Sequence, residues 1–131
     1  MPRRLTPRSH FFHDDDASTV SLVDWAFASA SSGVGDLGYF TSQSLTVADR
    51  RTYEEELTQL HFDTLLENGV KNFTFNDLWL FYCRAILFCL SYPLVAGAGD
   101  LDNDRTVSLV TCQLERSTSA ILDLDADEVA L

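Results

Sequence analysis

The sequence predicts a mainly α-helical protein with a small β-hairpin near its N-terminus, an α+β chain organised as one domain. Its 131 residues fit the length of a single domain. Hydrophobic residues make up 46% of the chain and aromatic residues 11%, which is typical of a folded core rather than of disorder. After two short β-rich runs, helical periodicity and helix-capping residues recur through the remainder of the chain.

The charge of the chain is strongly acidic, with a formal net charge of −11. Three of the nine basic residues, Arg3, Arg4 and Arg8, fall in the first ten positions, whereas all 20 acidic residues follow them. Such a body repels the phosphates of nucleic acids and an anionic membrane surface. We therefore expect neither nucleic acid nor a membrane as a partner.

The three cysteines, Cys83, Cys89 and Cys112, lie in apolar helical segments without C-x-x-C spacing. Their odd number and the absence of an apolar signal region favour free, reduced thiols and a cytoplasmic location. The apolar run over residues 78–98 contains Arg84, and a charge at that depth is costly in lipid. We interpret this run as a buried helix.

The N-terminal quarter is interpreted as an irregular basic head over residues 1–10 and a β-hairpin over residues 11–24. The hairpin strands are predicted at residues 11–13 and 19–24, with a polar turn between them. That turn contains Asp14, Asp15 and Asp16, which we interpret as a solvated acidic turn rather than a metal cluster.

A loop of mostly small residues over positions 25–35 follows the hairpin, and helices are predicted over residues 36–122. Asp36 lies where its carboxylate is expected to accept backbone N–H groups at a helix start. This first helix is expected to end near Ser42.

The second helix is predicted to begin after Thr46, which pairs with Asp49 as a capping signature, and to end at Gly69. We expect its buried face to consist of residues at helical spacing, namely Tyr53, Leu57, Leu60 and Thr64.

Thr74 and Asp77 repeat the capping signature and predict a third helix over about residues 75–96. This segment is apolar on nearly every face, which indicates the central helix of a bundle. Pro93 is expected to kink it or end its last turn.

Asp100, Asp102 and Asp104 form a D-x-D-x-D pattern, but Arg105 and Thr111 stand where a calcium-binding loop needs Gly and Glu. These acids are instead expected to cap a last helix over residues 105–122. Its predicted stripe is Val107, Val110, Leu114 and Ile121. An acidic tail over residues 123–131 is expected to fray.

The chemistry-bearing candidates are few, because the sequence offers no local Ser-His-Asp pattern, no zinc-type spacing and no P-loop. Asp24 at a strand end and Asp36 at a helix start remain. A carboxylate at the first position suits Mg²⁺, which binds through one or two carboxylates and phosphate oxygens. Spacing alone leaves both a metal ligand and an ordinary surface acid open for Asp24.

The segments Val23-Asp24-Trp25 and Gly35-Asp36-Leu37-Gly38-Tyr39-Phe40 resemble the aminoglycoside phosphotransferase and choline-kinase-like family of small-molecule kinases. The resemblance covers about residues 11–122 and implies the helical C-terminal lobe of a protein-kinase-like fold. It also implies Mg²⁺ and ATP as cofactors and a small-molecule hydroxyl compound as substrate. Within it, Asp24 corresponds to the metal ligand and Asp36 to the acid that tethers the catalytic loop.

The chain departs from that family at the catalytic loop, which reads H-G-D-x-x-x-x-N and precedes the hairpin. Arg4 and Ser9 stand near the positions of its Asp and Asn, and neither can replace them. The phosphate-covering N-terminal lobe is also missing. We therefore assign no catalytic residue and expect the C-terminal part of a phosphotransferase that is inactive by itself.

Four aromatic or imidazole side chains on the predicted helices are candidates for lining an acceptor site: Tyr53, His61, Trp79 and Tyr82. The alternative function is a non-catalytic helical interaction module derived from such a lobe. In that case exposed apolar surface would bind a partner or a second copy of the chain.

Overall fold

A computed structural model describes most of the chain, which divides into two compact units, Met1–Ser32 and Gly33–Leu131. In the first unit it describes the backbone of residues 10–13 and 16–22. In the second it describes residues 33–99 and 103–129. Residues 1–9 of the predicted head, residues 23–32 with Asp24, and the pair Asp100 and Asp102 lie outside these ranges, whereas His10, expected in the head, begins the first strand.

The described part of the first unit is an antiparallel pair of strands, β1 (His10–His13) and β2 (Asp16–Leu22). Phe12 lies opposite Val20, and the register shifts between Phe12 and His13. The pairing agrees with the expected hairpin. However, the second strand begins at Asp16, so part of the predicted acidic turn belongs to the ladder.

The second unit is helical, which confirms the mainly α-helical fold class. Its elements are α1 (Val34–Tyr39), α2 (Val47–Glu67), α3 (Phe75–Cys89), α4 (Ser91–Gly97), α5 (Asp104–Asp123) and α6 (Ala126–Val129). Helix α1 continues into a π-helical segment, Phe40–Ser44. Thr46 and Thr74 cap α2 and α3 as predicted, and Thr74 forms a complete capping box with Asp77.

Helix α3 supplies most of the hydrophobic core of this unit. Leu78, Tyr82 and Ile86 are fully buried and pack with Val34 of α1 and Ala120 of α5. The spacing of these α3 residues places them on one side of the helix. The predicted central role of this helix is therefore confirmed for that side.

The expectation of a helix buried on every face is wrong, because the opposite side of α3 and the following helix α4 carry exposed apolar side chains. Phe81, Phe88, Tyr92 and Val95 are 46%, 65%, 47% and 74% exposed. By length and composition, Phe75–Gly97 is long and apolar enough to cross a membrane. Its most apolar 18-residue stretch is 33% buried within the protein.

The expected interruption by Pro93 occurs earlier, at Leu90, where α3 ends and α4 begins. Proline has no N–H to donate to the carbonyl four residues earlier, that of Cys89. The Nε2 group of Gln43 lies 3.3 Å from this carbonyl and donates to it. A side chain of the π-helical segment thus satisfies the backbone group that Pro93 leaves open.

The start of α1 differs from the prediction that Asp36 caps it. The N-cap is Gly33, with φ of 70°, and α1 has no side-chain cap. Gly33 adopts this left-handed conformation without steric cost, and its carbonyl accepts the Asp36 N–H at 3.1 Å. Asp36 therefore lies in the first turn, where its charge still complements the helix dipole.

The predicted buried stripe of α2 is wrong, because Tyr53 and Leu60 are 50% and 61% exposed. The buried positions of α2 are instead Arg50, Glu54 and Thr58. These polar residues can face the interior because Arg50 and Glu54 pair with each other across one helical turn. Hydrophobic periodicity assumes that polar side chains face water, so it selected the wrong face.

Helix α5 and the tail also differ from expectation. Asn103 caps α5, while Val107 of the predicted stripe is 42% exposed and Val110 is buried. The expectation of a fraying tail is wrong for the described residues, because Asp123 still belongs to α5 and the buried Ala126 begins α6.

We predict opposite effects of alanine at two glycines of α1. A Cβ at Gly38 would lie 2.9 Å from the Cβ of Ala85, whereas a Cβ at Gly35 meets nothing within 4 Å. Gly38→Ala should cost about 1–3 kcal/mol through overpacking. Gly35→Ala, the matched control, should stabilise by about 0.5–1 kcal/mol because alanine loses less backbone entropy. Urea unfolding measures both, and equal effects would contradict the close α1–α3 contact.

Candidate functional site

Of the two acids that the sequence analysis selected, the structure describes Asp36 but not Asp24. Asp24 lies outside the described residues, two positions after β2 ends at Leu22. Asp36 is exposed in the first turn of α1.

His61 of α2 lies against the turn that leads into α1. The Cε1 atom of its ring is 3.3 Å from the position that a Cβ of Gly33 would occupy. Two features therefore favour glycine at position 33: its left-handed backbone, and the His61 ring, which leaves little room for a side chain. The structure thus brings His61, a candidate lining residue, next to the turn that carries Asp36.

The other three candidate lining residues are placed in different environments. Tyr53 is half exposed on α2. Trp79 is partly buried, and its ring centroid lies 5.6 Å from that of Tyr82. Tyr82 is fully buried, and its hydroxyl is bonded within the unit. A role for any of the four in acceptor binding stays a prediction.

The largest polar assembly of the described residues was not predicted, and we name it the Arg50 cluster. Arg50 is 1% exposed and donates to Glu54 at 2.7 Å and to Asp123. The hydroxyl of Tyr82 donates to the other oxygen of Glu54 at 2.7 Å. Thr41 lies 2.6 Å from that hydroxyl and, with Glu54 ionised, donates to it.

The surroundings of the Arg50 cluster shift the pKa values of its two acids, Glu54 and Asp123, in opposite directions. Burial raises the pKa of Glu54, and the bonds from Tyr82 and Arg50 oppose that rise. Hydrogen bonding from Arg51, assisted by Arg50, lowers the pKa of Asp123 to about 2. Burial next to Glu54 raises the pKa of the Tyr82 hydroxyl, which therefore stays protonated at neutral pH.

The Arg50 cluster is suited to holding helices together rather than to catalysis. Its side chains come from the π-helical segment, α2, α3 and α5, and its central atoms are removed from water. The i,i+4 spacing of Arg50 and Glu54 was a visible signal of pairing. No local pattern indicated that the pair would be buried.

Two cysteines of α3 behave as structural thiols, in agreement with the sequence. Cys83 and Cys89 are free and buried. Burial raises the pKa of both thiols, that of Cys89 to about 11. At neutral pH they are therefore protonated and weakly nucleophilic.

No group of three or more His, Cys, Asp or Glu side chains within the described ranges could hold a metal ion. Asp24, the metal ligand that the family resemblance implies, lies outside these ranges. No family model, curated protein or solved structure matches this chain.

We predict that Arg50→Met destabilises the fold by about 3–5 kcal/mol, because Glu54 would be left as a buried charge without its partner. The neighbouring Arg51→Met is the matched control, since Arg51 is exposed and its pair with Asp123 is screened by solvent. Its effect should be clearly smaller. Urea unfolding at pH 7 compares the two variants, and similar losses would contradict the central role of Arg50.

We predict an acid-dependent loss of stability that originates at Asp123. Its pKa is lowered from 3.8 to about 2 in the folded state, so its contribution is present above pH 4 and lost as the pH falls to about 2. Asp123→Asn should cost about 1–2 kcal/mol at pH 7, a value reduced for its partial exposure. It should also flatten the stability profile between pH 4 and pH 2, with exposed Asp127→Asn as control. An unchanged profile would contradict the assignment.

Proposed function

We propose that this chain is the helical C-terminal lobe of an ATP-dependent small-molecule phosphotransferase similar to aminoglycoside phosphotransferases and choline kinases. In this proposal Asp24 holds the magnesium ion of the nucleotide and Asp36 tethers a catalytic loop. The helices that follow form the acceptor side of the site. The acceptor is a small molecule with a hydroxyl group.

The support comes from the order of sequence and structural elements around the two acids. The V-D-W segment begins directly after β2, and the second acidic segment opens α1 at its exposed first turn. A mainly helical unit follows, and His61 lies beside the turn that begins α1. The single observation that carries the proposal is this succession of strand pair, Asp24, α1 with Asp36, and helices.

The chain contributes only part of the chemistry that phosphoryl transfer needs. That reaction depends on a metal clamp, a base that orients the accepting hydroxyl, and a phosphate cradle. The sequence contains no H-G-D-x-x-x-x-N loop to supply the base. We therefore expect no phosphorylation of small alcohols by the isolated chain, and binding of the metal–nucleotide complex is the property to test.

We predict that Mn²⁺-ATP, a paramagnetic substitute for Mg²⁺-ATP, broadens a restricted set of amide signals in ¹H–¹⁵N spectra of the chain. These should be the signals of residues 22–25, which surround Asp24. At ten times its dissociation constant, Mg²⁺-ATP should stabilise the fold by about 1.4 kcal/mol. Thermal unfolding with and without the nucleotide measures that gain.

The matched controls are two single substitutions of acids near β2. Asp24→Ala should abolish both effects, whereas Asp15→Ala should keep them because Asp15 belongs to the predicted solvated turn. Broadening centred on Asp14–Asp16 instead would assign the metal to that turn. This result, or retention of both effects in Asp24→Ala, would refute the proposal.

A second candidate function, a non-catalytic helical interaction module, is favoured by the apolar side chains exposed on α3 and α4. Large exposed apolar patches mark interaction sites. The absence of any Mn²⁺-ATP effect, together with specific association through α3 and α4, would favour this module over the phosphotransferase lobe.

A further inference from the structure

The turn that ends α2 carries the only Asn-Gly pair in the sequence, Asn68-Gly69. An asparagine side chain can be attacked by the backbone nitrogen of the next residue, and glycine hinders this attack least because it has no Cβ. Asn68 and Gly69 are both exposed, so water and hydroxide reach the pair. The other asparagines of the chain precede residues with side chains, in the pairs Asn72-Phe73, Asn76-Asp77 and Asn103-Asp104.

The reaction at this pair needs only the chain and water. The Gly69 N–H loses its proton, and its nitrogen attacks Cγ of Asn68, so a new N–Cγ bond closes a cyclic succinimide. The Cγ–Nδ2 bond breaks, and the side-chain nitrogen leaves as ammonia with the proton that Gly69 gave up. Water then opens the ring at either of its carbonyls, which gives aspartate or isoaspartate at position 68.

In the folded chain, the attacking nitrogen is held in a hydrogen bond. Gly69 has φ of 90°, and its N–H donates to the Leu66 carbonyl at 3.0 Å. The N–H of Val70 donates to the Leu65 carbonyl at 3.1 Å. This pair of bonds is typical of a helix that ends at a left-handed glycine. We name residues 65–70 the Asn68 turn.

The leaving group is held as well. Nδ2 of Asn68 donates to the Thr64 carbonyl at 2.8 Å, one of the last carbonyls of α2. A hydrogen-bonded N–H is protected from base until a local opening exposes it. We propose that Asn68 is a modification site that loses ammonia to become aspartate or isoaspartate, and that opening of the Asn68 turn sets the rate.

The product does not restore the closed turn. A carboxylate at position 68 has no N–H to donate to the Thr64 carbonyl, and its charge lies at the negative end of the helix dipole. Isoaspartate also lengthens the backbone by one methylene, which displaces Gly69 from its bond to Leu66. A transient opening of the Asn68 turn therefore becomes permanent. This inference does not depend on nucleotide binding or on the proposed phosphotransferase role.

Peptide mapping by mass spectrometry tests the proposal on the full chain, incubated at about pH 8 with and without concentrated urea. In urea, Asn68 should exchange ammonia for water before any other asparagine does, and isoaspartyl methyltransferase should label the product. Without urea, the reaction should be at least about tenfold slower, because the turn is open in a minority of molecules. Equal rates in the two conditions, or earlier reaction of Asn72 in urea, would overturn the proposal.

Val70→Pro tests the control of the rate by the turn, because it removes one of the two backbone bonds and leaves the Asn-Gly pair unchanged. Without urea, it should speed the reaction by about threefold or more. The matched control is Val70→Thr, which keeps the N–H and should react at the wild-type rate. Equal rates in the two variants would contradict control by the Asn68 turn.

Asn68→Asp imitates one product and should lower the midpoint of thermal unfolding by about 2–5 °C. Its matched control is Asn76→Asp, the same change at an exposed site in the first turn of α3, where the helix dipole favours a negative charge. That variant should leave the midpoint unchanged or raise it. A midpoint for Asn68→Asp at or above that of the wild-type chain would refute the permanent opening.

Discussion

The helical unit depends on a guanidinium that is almost completely removed from water, that of Arg50. A charge can be buried only where partners and hydrogen bonds compensate the lost hydration, so Glu54 and Asp123 must both be in place. These two acids belong to α2 and to the end of α5, and Tyr82 ties Glu54 to the centre of α3. One ion therefore constrains the arrangement of three helices.

The same network limits where α1 can lie. Thr41 bonds to Tyr82 from the π-helical segment, Gln43 donates to the carbonyl that Pro93 leaves open, and Gly38 permits close contact with Ala85. Together these contacts fix α1 on α3, and with it the first turn that carries Asp36. Phosphoryl transfer depends largely on positioning, so a tether needs a support of this kind. In the proposed function, the buried polar contacts would hold α1 in place and thereby position the exposed Asp36.

Helix α3 has two apolar sides in different environments. One side supplies Leu78, Tyr82 and Ile86 to the core, while the opposite side presents aromatic rings to the solvent. A helix that is apolar all round is usually buried all round. Here the described residues cover one side only, and Phe81 and Phe88 on the other side stay 46% and 65% exposed.

The sequence by itself determined the features that depend on neighbours within a few residues. The Thr46 and Thr74 caps and the helical class follow from spacings of three and four residues. The resemblance around Asp24 and Asp36 is also local, and its functional meaning stays a prediction. Long-range packing determines which face of α2 is buried, which side chain satisfies the Cys89 carbonyl and whether Asp123 belongs to α5. Each of these depends on a partner far away in the chain: Arg50 and Asp123 are 73 positions apart, and Gln43 and Cys89 are 46 apart. A polar residue faces the interior only when such a partner is present, and no local pattern records that condition.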